Sequence, residues 1–188
     1  MLLIVKPYFG YCFGSMGHTL ASARATEFFS WFHLEETERV PRDPGELVRH
    51  RPSGEKFRTL CSLEALTTAD DELVSMELVI QRSFVDGPDA PFARDVVKSF
   101  LAAALPDACR HVLEDFMAEI TRFGGDGDTP GMKVFKGRQQ SWSTLTGWSR
   151  LQMANLTVED VPSLVVNISP NPEAPNAKPI PANPHSLA

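Results

Sequence analysis

The stretch ELVSMELVIQRSFV, Glu72–Val85, decides the fold. Val74, Met76, Leu78, Ile80 and Phe84 are apolar at every second position, Arg82 alone breaking the row, while Ser75, Glu77, Gln81 and Ser83 fill alternate places. Period-two alternation of that length marks a strand with one face buried. Upstream, Phe57–Leu66 alternates in the other phase: Phe57, Cys61, Leu63 and Ala65 face one way, and Arg58, Ser62 and Glu64 the other. The polar connector Thr67-Thr68-Ala69-Asp70-Asp71 suits an antiparallel hairpin. Ile80 is expected in the core.

Working outward, Asp86-Gly87-Pro88 reads as a turn, Asp89 as an N-cap and Pro91 as a first-turn proline. Phe92, Val96, Phe100 and Leu101 recur at helical spacing up to Pro106. Asp107 can cap a second helix whose apolar stripe is Val112, Leu113, Phe116, Met117, Ile120 and Phe123, stopped by Gly124-Gly125. Both helices are expected to cover the apolar face of the hairpin. Before the hairpin, the spacing predicts a helix to about Ala25 and a strand over Thr26–Glu36. Arg39–Ser53, with three prolines and Arg49-His50-Arg51, reads as an exposed connection. After the helices, Met132–Lys136 and Ser163–Ile168 read as strands. Gln139–Met153 stays open between helix, from Trp142, Leu145, Trp148 and Leu151 at a spacing of three, and strand or loop, from Thr144, Thr146 and Gly147.

The expected architecture is α+β, an antiparallel sheet of about four to six strands with two or three helices packed on one face. Residues 1–168 form a single domain, and 169–188 a proline-rich extended tail with Ile180 and Leu187 as apolar anchors against the domain or a neighbouring subunit. The chain has 188 residues, 43% of them apolar, enough for a substantial core. Its net charge of −6 argues against non-specific binding to nucleic acid or an anionic membrane. Cys12, Cys61 and Cys109 form no close pair and read as free thiols in a reducing compartment. No apolar run reaches the length of a membrane span, and the N-terminus lacks the charge pattern of a secretory signal. Cytoplasmic location is the expectation.

Chemistry-bearing patterns are weak. Asp126-Gly127-Asp128 reads as an acidic turn, since no glutamate closes a calcium loop. His33 and Glu35 would share a strand face within Thr26–Glu36, the minimum for general-base work, but no third partner is visible. Cys61 falls on a core face, and Cys109, beside Arg110 and His111 in a helix's first turn, is the better placed thiol. No serine sits in a nucleophile elbow. Hence no catalytic residue, metal site or cofactor is assigned. Arg138, Trp142 and Trp148, in a stretch without acids, are the candidate binding residues, because Trp and Arg favour interface hot spots.

In general outline a small acidic α+β domain of this build resembles bacterial secretion chaperones and immunity proteins, a likeness that does not fix function. The expected function is non-catalytic binding or assembly with a protein partner, of chaperone, immunity or adaptor type, or self-association, through a sheet face, sheet edge or the C-terminal tail. The alternative is a small-molecule-binding domain, with or without catalysis, whose pocket lies between sheet and helices.

Overall fold

The computed structural model describes residues 15–105, 113–114, 116–117, 129–145, 149–171 and 173. Their frame is a seven-stranded antiparallel sheet: β1 (Leu34–Arg42), β2 (Gly45–Pro52), β3 (Cys61–Thr68), β4 (Leu73–Gln81), β5 (Ser141–Leu145), β6 (Ser149–Val158) and β7 (Val161–Pro170). The strand order is β1-β2-β3-β4-β7-β6-β5. Two meanders, β1 to β4 and β5 to β7, therefore join where their last strands pair. The helices are α1 (Leu20–Arg24), α2 (Glu27–Trp31), α3 (Glu55–Arg58), α4 (Arg82–Asp86), α5 (Ala90–Ala104) and α6 (Pro130–Phe135).

Alternation in β4 places Met76, Leu78 and Ile80 on one face, where all three are buried with Val96, Val97, Phe100 and Leu101 of α5. A straight row crosses the sheet there in register: His50, Leu63, Leu78, Val166, Met153 and Trp142. The expected phases of Met76, Leu78 and Ile80, and of Cys61, Leu63 and Ala65, are the observed ones. Val74 departs from its phase. A register irregularity near Thr67 puts it with Leu47 and Leu66 in a separate cluster. Phe57 belongs to α3 and Phe84 to α4, so the hairpin is shorter at its open end than its alternation suggested.

The sheet is larger than expected because prolines misdirect the reading of residues 39–53. Pro41 lies on edge strand β1, Pro44 in the β1–β2 turn and Pro52 at the end of β2, all places where a missing N–H is tolerated. Gly45 follows Pro44, and a Cβ there would stand 2.4 Å from the Thr67 carbonyl oxygen, so strand approach requires glycine. Residues 139–153 contain β5 and the first half of β6. The expected strand at Met132–Lys136 is instead α6, because Thr129 caps it by accepting from Met132 N at 3.3 Å and Pro130 opens its first turn. Thr26–Glu36 divides into α2 and the start of β1, with His33 at φ 44° between them.

Asp89 stands at the N-cap of α5, as read, and Pro91 in its first turn. Of the second helix, Leu113, Glu114, Phe116 and Met117 are described and helical, with Phe116 buried. Arg82, the break in the apolar row, opens α4 and pairs with Asp86. It also donates to Phe135 O at 2.9 Å and Asn155 Oδ1 at 3.1 Å, tying α4 and α6 to β6. β7 is buried on both faces from Ser163 to Pro170, as its mostly apolar run, interrupted by Asn167, suits. The tail beyond residue 173, with Ile180 and Leu187, lies outside the described residues. No helix among the described residues is long and apolar enough to cross a membrane.

Ile80, fully buried between β3 and β7, tests this packing. Ile80→Ala should lower unfolding free energy by about 2–5 kcal/mol in urea denaturation, the range for a large-to-small change in a rigid core. A loss under about 1 kcal/mol would place Ile80 outside the core.

Candidate functional site

The pleat that sends Leu78 to the helices sends Glu77 to the other face. There a second row crosses all seven strands in register: Glu38, Arg49, Glu64, Glu77, Asn167, Gln152 and Ser143. Arg49 bridges its neighbours, with Nη1 2.5 Å from Glu38 and Nε 2.7 Å from Glu64. These side chains are about one-third exposed, so each pair contributes roughly 0–1 kcal/mol and mainly fixes geometry.

Glu38 reaches this face through an irregularity in β1. Glu36 pairs with His50 and Glu38 with Arg49, leaving Thr37 as an extra residue between them. In a regular strand both glutamates would face the same way. The bulge splits them. Glu36 turns to the helix side, where Arg24 approaches at 2.5 Å and Arg39 at 2.9 Å, and these hydrogen bonds hold its carboxyl down at about 2.

A cavity of about 660 Å³ lies over the β1–β4 part of the second row. Its lining includes Glu38, Arg49, Arg51, Ser62, Glu64, Glu77, Val79 and Gln81, with Val158, Glu159, Val161 and Ser163 from the β6–β7 hairpin. The hairpin turn carries Glu159 to within 3.5 Å of Arg51 on β2, although β3 and β4 lie between β2 and β7. Both residues line the cavity.

Glu77 is the unusual group here. It is largely buried and accepts a hydrogen bond from Asn167 Nδ2 at 3.3 Å. Loss of water, then the charge of Glu64 directly across the ladder, pushes its carboxyl up to about 7. Cys61 is a free thiol that burial pushes up to about 11, so it stays protonated near neutral pH. On the helix side His50 is buried and accepts from Arg24 at 2.7 Å through Nε2, which puts its proton on Nδ1. Burial, with the adjacent Arg24 charge, lowers it to about 4.

A second concavity, about 740 Å³, is a groove between α2 and α5 lined by Ala25, Phe28, Trp31, Phe32, Phe92, Asp95, Lys98, Ser99, Ala102 and Ala103, with Leu113. Trp31 is 63% exposed and Phe92 40%. Phe92 nevertheless belongs to a chain of ring contacts, to Phe32 at 5.9 Å, on to Phe28 at 5.3 Å and then to buried Phe100 at 6.0 Å. The groove's aromatic end is thus held by the core.

The residues singled out in the sequence lie elsewhere. Trp142 is half-buried on β5 and packs against the helix-side core, and Arg138 is exposed in the turn after α6. Trp148, Cys12, Cys109 and Asp126–Asp128 lie outside the described residues. His33 sits in the turn before β1, so it and Glu35 do not share a strand face as expected. Among the described residues no three His, Cys, Asp or Glu side chains are placed to hold a metal ion. Period-two reading had put Glu64 and Glu77 together on the polar side of their hairpin. Arg49 was missed because its segment reads as a connection, Trp31 because it fell in the strand expected over Thr26–Glu36, and Phe92 because helical spacing assigns it to the apolar stripe. No family model matches the chain, nor does any curated protein or solved structure in the comparisons made.

Glu77 and His50 pull stability in opposite directions with pH. Glu77, raised from 4.5 to about 7, contributes stability that is complete below its unfolded value and lost as pH rises through 7. His50, lowered from 6.5 to about 4, contributes stability that is present above 6.5 and lost as pH falls through 4. The two largely cancel, so wild-type stability should be nearly flat between about pH 5 and pH 8. Glu77→Gln should instead gain about 2 kcal/mol over that interval, measured by urea denaturation at each pH. A variant as flat as wild type would mean that Glu77 is an ordinary carboxylate.

Proposed function

We propose that this is a non-catalytic binding protein that engages a protein partner, taking the apolar face of a partner helix in the groove between α2 and α5. The observation that carries the reading is the pair Trp31 and Phe92. They are two of the three exposed large hydrophobic residues among those described, and they line one groove. Covering Trp31 would contribute roughly 3 kcal/mol from apolar area alone, enough for a hot spot. The groove follows α5 from Phe92 to Ala103, about three helical turns, and its floor of Ala25, Ser99, Ala102 and Ala103 lets another helix approach closely. Phe92 is tied to the core by its ring contacts, so little ordering entropy would be lost on binding.

A second reading, a small-molecule-binding domain, is favoured by the cavity on the second sheet face, where Glu77 is a perturbed carboxyl among convergent polar groups. The pocket then lies outside the sheet–helix interface.

Placing a photo-crosslinking residue at position 31 and illuminating protein in native host extract tests the first reading. It should yield one dominant protein adduct, lost when Phe92→Glu is added while the melting temperature holds within a few degrees. An adduct profile unchanged by Phe92→Glu, or adducts only to small molecules, would sink it. Sedimentation of the purified chain decides whether the partner is a second copy.

A further inference from the structure

We propose that the cavity over Glu64 and Glu77 binds the cationic end, an alkylammonium or guanidinium group, of a small ligand; this rests on the second reading above.

Four carboxyl groups line the cavity, Glu38 from β1, Glu64 from β3, Glu77 from β4 and Glu159 from the β6–β7 turn, against Arg49 and Arg51 of β2. Both arginines are already engaged. Arg49 lies between Glu38 and Glu64, and Arg51 faces Glu159. Among the described residues no cation pairs with Glu77, which accepts from the neutral amide of Asn167. Its direct cross-strand neighbour is another carboxylate, Glu64, an arrangement that destabilises a ladder unless something offsets it.

A cation between the two carboxylates would relieve that repulsion and restore the ionised form of Glu77. An anion would meet the acidic surplus, and a neutral ligand would leave the repulsion in place. Among the described residues no three His, Cys, Asp or Glu side chains are placed to hold a metal ion, here or elsewhere. The rest of the lining fits an organic cation. The Ser163 hydroxyl donates to Val161 O at 3.0 Å, leaving lone pairs to accept from an N–H group. Val79, Val158 and Val161 give apolar surface for a short aliphatic stem.

The test uses the full chain and four probes of similar size, with amide and carboxyl NMR shifts as the readout: butylammonium, agmatine, butanol and butyrate. Calcium chloride is a fifth, separate titration. Butylammonium and agmatine should shift the Glu64 and Glu77 signals saturably, lower the pH at which Glu77 titrates, and bind at least about tenfold more weakly to Glu77→Gln. Glu64→Gln provides a second variant, and both should melt no lower than wild type at neutral pH. Equal or tighter binding of butanol or butyrate at these residues would overturn the cation inference and leave the ligand-binding reading standing. Binding of calcium alone would replace it with a metal site. If none of the five perturbs this face, the inference and the second reading fall together.

Discussion

The pleat of β4 is the constraint on which the rest of the structure depends. This strand belongs to the first meander by sequence, yet it also carries the whole second meander, because β7 pairs with it. Its register sets every row that crosses the sheet. Leu78 aligns the helix-side core from His50 to Trp142, and Glu77 aligns the polar row from Glu38 to Ser143. A slip of β4 by one residue would turn Glu77 toward α5 and Leu78 away from the core. Fold and candidate site therefore share one determinant.

Charge is arranged around that determinant rather than spread evenly. On the helix side, Arg24 reaches from α1 to Glu36 and His50 and fastens a five-residue helix to the sheet edge. On the second face, Arg49 does the same for three strands at once. The bulge at Thr37 lets one edge strand supply a carboxylate to each network. A charged, bulged edge containing Pro41 is also a poor template for another strand. β5, at the opposite edge, has neither charge nor proline, with Ser141, Ser143 and Leu145 exposed. The two edges therefore differ in what they would accept.

The aromatic residues connect the core to the surface on the helix side. Phe100 is fully buried, Phe28 nearly so, Phe32 partly covered and Phe92 exposed, each touching the next ring. Such a chain is stiff because each ring is held by its neighbours at edge or tilted contacts. A mutation at Phe28 would therefore change the groove as well as the core, although Phe28 is buried.

What the sequence determined by itself is the β3–β4 pair, the phase of Met76, Leu78 and Ile80, α5 starting after Asp89 and the buried β7. In each, one short-range pattern suffices: alternation, helical spacing, or a mostly apolar run between turn residues. The separation of Glu64 and Glu77 from the core face was legible for the same reason. Only the tertiary structure decided that β1 and β2 exist, since prolines there are harmless solely because of where they fall on an edge, a turn and a strand end. It alone decided that Arg49 spans Glu38 and Glu64, because a cross-strand row depends on register between segments far apart in the chain. It also decided that Glu77 is largely but not fully covered beside a like charge and that Trp31 and Phe92 are exposed in one groove. Alternation and helical spacing say which side a residue takes; only packing says what, if anything, covers that side.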